Sequence, residues 1–243
     1  MAFSRQPRTG RRGSLSVGVR AAAGAAFGRR LRAWYRANAR DLPWRRTRDP
    51  YYILVSELML QQTQVARVVP RYHEFLERFP TLGDVARSSP GRVREAWEGL
   101  GYYARARSLH ALARRVTSNG RKPDRALPAD AEALRALPGI GPYTAGAVSS
   151  FAYERRAPLV DTNVARVLRR VFAPATDPKS ARGQRTLWDL AAALLPRTGR
   201  AAWTHNQALM ELGALVCTAR RPQCARCPVR GVCRTEGRRP RSG

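Results

Sequence analysis

A chain of 243 residues with 45 basic and 17 acidic side chains carries a formal net charge of +28. An excess of that size favours a polyanionic partner, nucleic acid before membrane, and no apolar run approaches the roughly 20 residues of a membrane-spanning helix. Lysine occurs only at Lys122 and Lys179, so the charge is almost wholly arginine and an arginine-rich coding bias would inflate it.

In chain order, residues 1–40 hold ten arginines and no acid. Their Gly/Ser/Ala content reads as a disordered basic arm over residues 1–26, although an organelle transit peptide has a similar composition. Helix signals follow nearly throughout. Asp49-Pro50 opens a segment with Ile53, Leu54, Glu57, Leu58 and Gln61 within helical reach of one another. Val65, Val68, Val69, Tyr72, Phe75, Leu76 and Phe79 continue at periods of three and four, with Pro70 as a kink. Ser89-Pro90 starts a helix to about Glu98, and Leu109, Leu112 and Val116 mark another ending at Asn119-Gly120. Pro128 and Asp130 start a short helix to Leu137, and further helices are expected over 143–153, 162–172, 180–195 and 200–216. No segment alternates with period two, so the fold class is all-α. Arg234 to Gly243 reads as a second frayed basic end, disordered over 236–243.

Leu137-Pro138-Gly139-Ile140-Gly141-Pro142-Tyr143 joins two of these helices. Gly139 and Gly141 flank one apolar residue and let the backbone turn with positive φ and approach a ligand closely. The amides at the start of the next helix then face an anion such as a DNA phosphate. An ordinary helix–turn–helix corner accounts for the same residues, since Gly-x-Gly turns are common. Asp161 stands eighteen residues beyond Tyr143. It reads either as a helix N-cap or as a carboxylate beside a sugar.

Cys217, Cys224, Cys227 and Cys233 are all the cysteines of the chain, spaced C-x6-C-x2-C-x5-C. Four thiolates so close can wrap an iron–sulfur cube or a tetrahedral zinc; disulfides are the plain alternative and suit an oxidising compartment. Zinc prefers paired C-x2-C knuckles, and only one such pair is present, so the unequal gaps favour a cluster. Arg220, Arg221, Arg226 and Arg230 stud the loop, either as phosphate contacts held out by a rigid centre or as solvated charges.

The hairpin, Asp161 and the cysteine loop together resemble the helix-hairpin-helix DNA glycosylase superfamily, in its iron–sulfur branch with endonuclease III. Leu42-Pro43-Trp44, Ser56 to Val65, Gly99 to Arg107, Asp161-Thr162-Asn163-Val164 and Asn206 to Gly213 are similar to stretches of the MutY-type adenine DNA glycosylases. The resemblance spans Leu42 to Cys233. It implies a six-helix barrel with the hairpin over 48–152 and an iron–sulfur domain from 27–47 plus 153–235. A [4Fe-4S] cluster would sit on the four cysteines, with the DNA cleft between the domains. The implied activity is hydrolytic removal of adenine mispaired with 8-oxoguanine or guanine in double-stranded DNA. The implied setting is a cytoplasmic, bacterial enzyme at the nucleoid, monomeric and without a membrane partner.

The residues support that chemistry on their own terms. A purine leaves deoxyribose well only once protonated at N7, and the sugar left behind resembles an oxocarbenium ion. The reaction wants one protonated and one ionised carboxyl, as in glycosidases with split pKa values. Glu57 lies mid-helix among Ile53, Leu54, Leu58 and Leu60, where desolvation raises a carboxyl pKa. Asp161 begins a helix, whose positive end keeps it ionised. Glu57 is thus the expected acid and Asp161 the expected cation stabiliser or nucleophile.

The remaining roles come from the resemblance. Bifunctional relatives carry a Schiff-base lysine where this chain has Tyr143, which leaves strand cleavage without an evident nucleophile and implies a monofunctional enzyme. Tyr143 and Asn163 would position Asp161 and the sugar. Gln62 would enter the helix near the widowed base with Tyr102 wedged beside it; Gln61 and Thr63 flank Gln62, and Gly139 and Gly141 would face phosphate. His73, His110 and His205 fit no metal or triad pattern, and the five tryptophans read as core. The chain ends ten residues after Cys233, so the Nudix-like domain typical of MutY proteins is expected to be absent. Tyrosine at the hairpin position also occurs in thymine/uracil mismatch glycosylases, which are the second expectation; a non-enzymatic cluster-bearing DNA-binding protein is the third.

Overall fold

A computed structural model describes residues 21–118 and 127–236. Residues 1–20 of the expected arm, the expected helix stop at Asn119-Gly120 and residues 237–243 of the expected tail lie outside them. The described residues form eleven α-helices and no strand, as the missing period-two alternation predicts.

Helix α1 (Ala21–Asn38) begins inside the expected arm and corrects its boundary. The alanines there are strong helix formers, and Phe27 and Leu31 dock the helix with no exposed surface. Each such burial is worth about 1.5–3 kcal/mol. A 3-10 turn at Pro43–Arg45 follows.

The middle of the chain folds as α2 (Pro50–Met59), α3 (Val65–Arg78), α4 (Leu82–Arg87), α5 (Pro90–Ala96), α6 (Ala104–Thr117), α7 (Ala131–Arg135) and α8 (Pro142–Tyr153). Start signals act as expected at α2, where Asp49 accepts from the amides of Tyr51 and Tyr52, and at α5 and α7, capped by Ser89 and Asp130. Pro70 lies inside α3. Helix α2 stops at Met59, so Gln61 falls in the turn beyond it. Helix α4 is absent from the sequence reading; it rests on a capping box between Thr81 and Asp84.

The rest of the chain forms α9 (Thr162–Phe172), α10 (Ala181–Leu194) and α11 (Gly199–Leu215), then two 3-10 turns, Cys224–Arg226 and Arg230–Val232. The helices pack as two groups, α2 to α8 around α2, α6 and α8, and α1 with α9, α10 and α11. Helix α11 also packs against α8 and joins the groups, and one continuous apolar core runs through both. Trp97 and Trp44 are buried in that core, while Trp34, Trp188 and Trp203 are half-buried.

Candidate active site and cysteine loop

Helices α2, α8, α9 and α11 converge where the two groups meet. Glu57 is 3% exposed and sits among the buried residues of α2. The hydroxyl of Tyr143, in the first turn of α8, donates to Oε2 of Glu57 at 2.7 Å and lies 3.9 Å from Sδ of Met210 on α11. Asp161 caps α9, accepting the Val164 amide at 2.7 Å and the Asn163 side-chain amide at 3.0 Å. Its charge acts on both Glu57 and Tyr143. The structure thus brings Glu57, Tyr143, Asp161 and Asn163 close together.

The electrostatics separate the two acids. Burial pushes Glu57 up to about 7, opposed by the Tyr143 hydrogen bond, reinforced by the charge of Asp161 and opposed again by Arg45. Burial also lifts Asp161 above the usual carboxylate range, while the Val164 amide, Asn163 and Arg166 pull it back. The expected helix end is therefore present, but it works against desolvation instead of acting alone. Asp161 is both an N-cap and a member of the site. Burial holds Tyr143 well above the ordinary phenol value, so it remains a hydrogen-bond donor. One carboxyl poised near neutrality beside a second that is held by donors is an arrangement able to cleave a glycosidic bond.

Two networks brace this site, and neither was visible in the sequence. Glu211 is fully buried on α11 and accepts from the Arg40 backbone and guanidinium and from the Arg45 guanidinium at 2.8–3.2 Å. Burial alone would raise its pKa, but the hydrogen bonds and charges of Arg40 and Arg45 outweigh it and hold the value down to about 2. Arg45 also donates to Gln207 at 3.0 Å, so the turn at 40–45 is pinned to α11. In the second network Arg166 donates to Asn163 Oδ1 at 2.7 Å and to the carbonyls of Gly213 and Cys217 at 2.8 Å each. Arg170, one turn further along α9, donates to Cys217 Sγ at 3.4 Å.

The hairpin leaves α7 through Gly139, whose φ is +75°. A Cβ there would lie 2.3 Å from the Cβ of Ser108 on α6. Gly141 differs from expectation. It takes an ordinary extended conformation as the N-cap of α8, and nothing lies within 4 Å of the place its Cβ would occupy. Only Gly139 needs the left-handed region. Gln62 and Tyr102 are both exposed and both left-handed, at φ +57° and +47°. Gln61 is half-buried and donates to Thr144 Oγ1 at 3.3 Å, and Thr63 Oγ1 reaches the Leu100 carbonyl at 3.4 Å.

Cys217, Cys224, Cys227 and Cys233 line a cavity of about 250 Å³ at the end of α11. Burial, then the neighbouring cysteines, push the Cys227 thiol up to about 11. Crowded thiols of this kind ionise only against a cationic centre. Arg220 and Arg221 are exposed on the loop.

An all-helical fold in which a hairpin, Glu57 and Asp161 meet at the junction of two helix groups, with four cysteines gathered around one cavity, defines a helix-hairpin-helix protein. The chain belongs to the HhH-GPD superfamily of base excision DNA repair proteins, whose family pattern matches residues 55–193. A second pattern, the iron-sulfur binding domain of endonuclease III, matches residues 217–233, from the first cysteine to the last, so the chain carries an iron–sulfur binding domain.

Among curated relatives, the adenine DNA glycosylase of Mycolicibacterium smegmatis is 48% identical over 201 residues, covering 82% of this chain and 66% of that protein. The adenine DNA glycosylase of Rattus norvegicus is 46% identical over 224 residues, covering 88% of this chain and 42% of that protein. The chain thus spans about two fifths of the length of its rat relative. Of the solved structures, a thermostable thymine-DNA glycosylase superposes with a TM-score of 0.80 at 29% identity, covering 89% of this chain and 97% of its own.

Proposed function

We propose that this chain removes adenine mispaired with 8-oxoguanine or guanine in double-stranded DNA by hydrolysing the N-glycosidic bond. One observation carries the reading: a buried Glu57, poised at about 7 and bonded to Tyr143, shares a site with Asp161. The 46–48% identity to adenine DNA glycosylases supports adenine as the base.

In this reading protonated Glu57 delivers its proton to N7 of the extruded adenine. Ionised Asp161, oriented by Asn163, faces the sugar as it gains positive charge. Tyr143 holds Glu57 and offers no amine, so no Schiff base forms and the strand stays intact. The hairpin at Gly139 and Gly141 cradles a backbone phosphate, and Gln62 and Tyr102 fill the space the adenine leaves. The two helix groups act as the barrel and iron–sulfur domains of a monomer, with the DNA between them. Cys217, Cys224, Cys227 and Cys233 hold a [4Fe-4S] cube, which supplies a rigid cross-link and a redox-capable centre; Arg220 and Arg221 project from that braced loop toward phosphates. No helix of the described residues is long and apolar enough to cross a membrane.

A second reading, removal of thymine or uracil from mispairs with guanine, is supported by the superposition on a thymine-DNA glycosylase. A panel of end-labelled duplexes carrying A opposite 8-oxoguanine or G, and T or U opposite G, separates the two through alkali-revealed abasic sites. Adenine release that is lost in Glu57→Gln and Asp161→Asn, with no borohydride-trapped adduct, is expected. Full activity in both variants would overturn the assignment, and abasic product only from T or U duplexes would transfer it to the second reading.

A further inference from the structure

Arg105 is 8% exposed, yet no ion pair among the described residues includes it. Its guanidinium is spread over two loops. Nη1 donates to the carbonyls of Leu58, Met59 and Gln61 at 2.7, 2.9 and 2.6 Å. Nη2 donates to the carbonyls of Leu100 and Gly101 at 3.1 and 3.0 Å and to Thr63 Oγ1 at 3.3 Å. The guanidinium carbon also lies 5.4 Å from the centre of the Tyr102 ring, the one exposed large apolar side chain among the described residues.

Each of these loops contains one residue in a conformation that L side chains resist: Gln62 in the first, Tyr102 in the second. Glycines take up the other left-handed positions of the second loop, Gly99 and Gly101. Gln and Tyr stay in such a conformation only where surrounding structure imposes it, and Arg105 is the side chain that grips the flanking carbonyls on both sides. A hollow of about 430 Å³ opens at this point, with Gln62, Tyr102 and Arg107 on its walls.

We propose that Arg105 is a positioning residue for base extrusion, setting the spacing and backbone of the two loops so that Gln62 and Tyr102 enter the duplex together. This rests on the glycosylase reading above, in which those two side chains occupy the vacated space. Arginine is required because a planar fork of five N–H groups can bridge two loops, whereas a lysine ammonium is a single point of charge. The competing role is a plain cap: Leu58 and Met59 close α2, and a cation there satisfies carbonyls at the helix end. Lysine preserves that charge and so separates the roles.

The test compares the intact protein with Arg105→Lys and Arg105→Met. Extrusion is read from 2-aminopurine placed at the target position, whose fluorescence rises when it unstacks. Excision is read as single-turnover rates on two substrates: adenine opposite 8-oxoguanine, and adenine opposite an abasic site, where no partner base must be held. Melting temperature and absorbance near 400 nm report on fold and cluster. The expected result is at least a tenfold loss of extrusion and of mispair excision in Arg105→Lys, a several-fold smaller loss opposite the abasic site, and unchanged melting and absorbance. Extrusion equal to that of the parent chain, or an equal loss on both substrates, would overturn the proposal. If the parent chain releases no adenine, the glycosylase reading fails while the fluorescence arm still judges Arg105 by itself.

Discussion

The Tyr143 hydroxyl reaches Oε2 of Glu57 across 2.7 Å, from the first turn of α8 to the end of α2, and it is the largest influence opposing burial at that carboxyl. A phenol that donates to a carboxylate favours its charged form. The hairpin therefore does more than turn the chain. It places beside Glu57 the group that keeps its proton exchangeable near neutral pH.

A bell-shaped pH–rate profile follows for excision. Protonated Glu57 is the active form, so the alkaline limb should fall through about pH 7, the value to which burial raises it. The acid limb reports Asp161 losing its charge, above the usual aspartate range. In Tyr143→Phe the opposing hydrogen bond is gone, Glu57 holds its proton more tightly, and the alkaline limb should move to higher pH. A limb that moves down, or stays in place, would contradict the assignment of Glu57 as the acid.

Glu57 also makes the site a source of instability. A group whose folded pKa lies above its unfolded value binds extra protons when folded, so its contribution fades as pH rises through the folded pKa. With values of about 7 folded and 4.5 unfolded, the penalty above pH 8 is on the order of 3 kcal/mol. Glu57→Gln should raise the denaturation midpoint at pH 8 and have little effect at pH 5, while abolishing excision. Denaturant titrations at the two pH values check it.

The helical class and the turn at Gly139 were legible because each depends on local signals: period, caps and short spacings. The meeting of Tyr143 with Glu57, 86 residues apart, is no such signal and was expected only from the resemblance. Misreadings arose where alanine content resembled disorder, at residues 21–26, and where the capping box of α4 carried Asp84 at N3 instead of the commoner Glu or Gln. Gly139 and Gly141 look alike in sequence, but only Gly139 is left-handed and packs against Ser108. Glu211 meets its arginines across separations of 171 and 166 residues, and nothing local marks a glutamate for such a pairing. Arg105 is one of many arginines in a strongly basic chain, and nothing local marks it as buried.

Gly213 is the point where α11 approaches the start of α9. A Cβ at this residue would lie 2.6 Å from the Cβ of Asn163 and 3.1 Å from its carbonyl oxygen, and its own carbonyl anchors Arg166. Gly213→Ala must therefore push Asn163 away from Asp161. Loss of that hydrogen bond should raise the pKa of Asp161 further and shift the acid limb of the profile upward, with a fall of roughly tenfold in single-turnover rate for a small misplacement of the charge. DNA affinity, measured alongside, should change little. An unchanged acid limb would show that Asn163 does not tune Asp161.

His205 on α11 is fully buried against Phe27, 6.1 Å between ring centres, and neither ring nitrogen has a hydrogen-bond partner. Burial, then the charge of Arg32, pushes it down to about 3. The unfolded chain takes up this proton below pH 6.5 while the folded chain refuses it, so stability is lost as pH falls from 6.5 toward 3. At pH 4.5 the loss from this one residue is on the order of 3 kcal/mol. His205→Leu removes both the titration and two orphaned polar atoms. It should stabilise the protein at pH 8 by about 1–3 kcal/mol, and by visibly more at pH 4.5. A gain that is equal at both pH values would mean that the imidazole titrates alike in the folded and unfolded states. The gap between the two gains therefore measures how firmly α1 seals that part of the core.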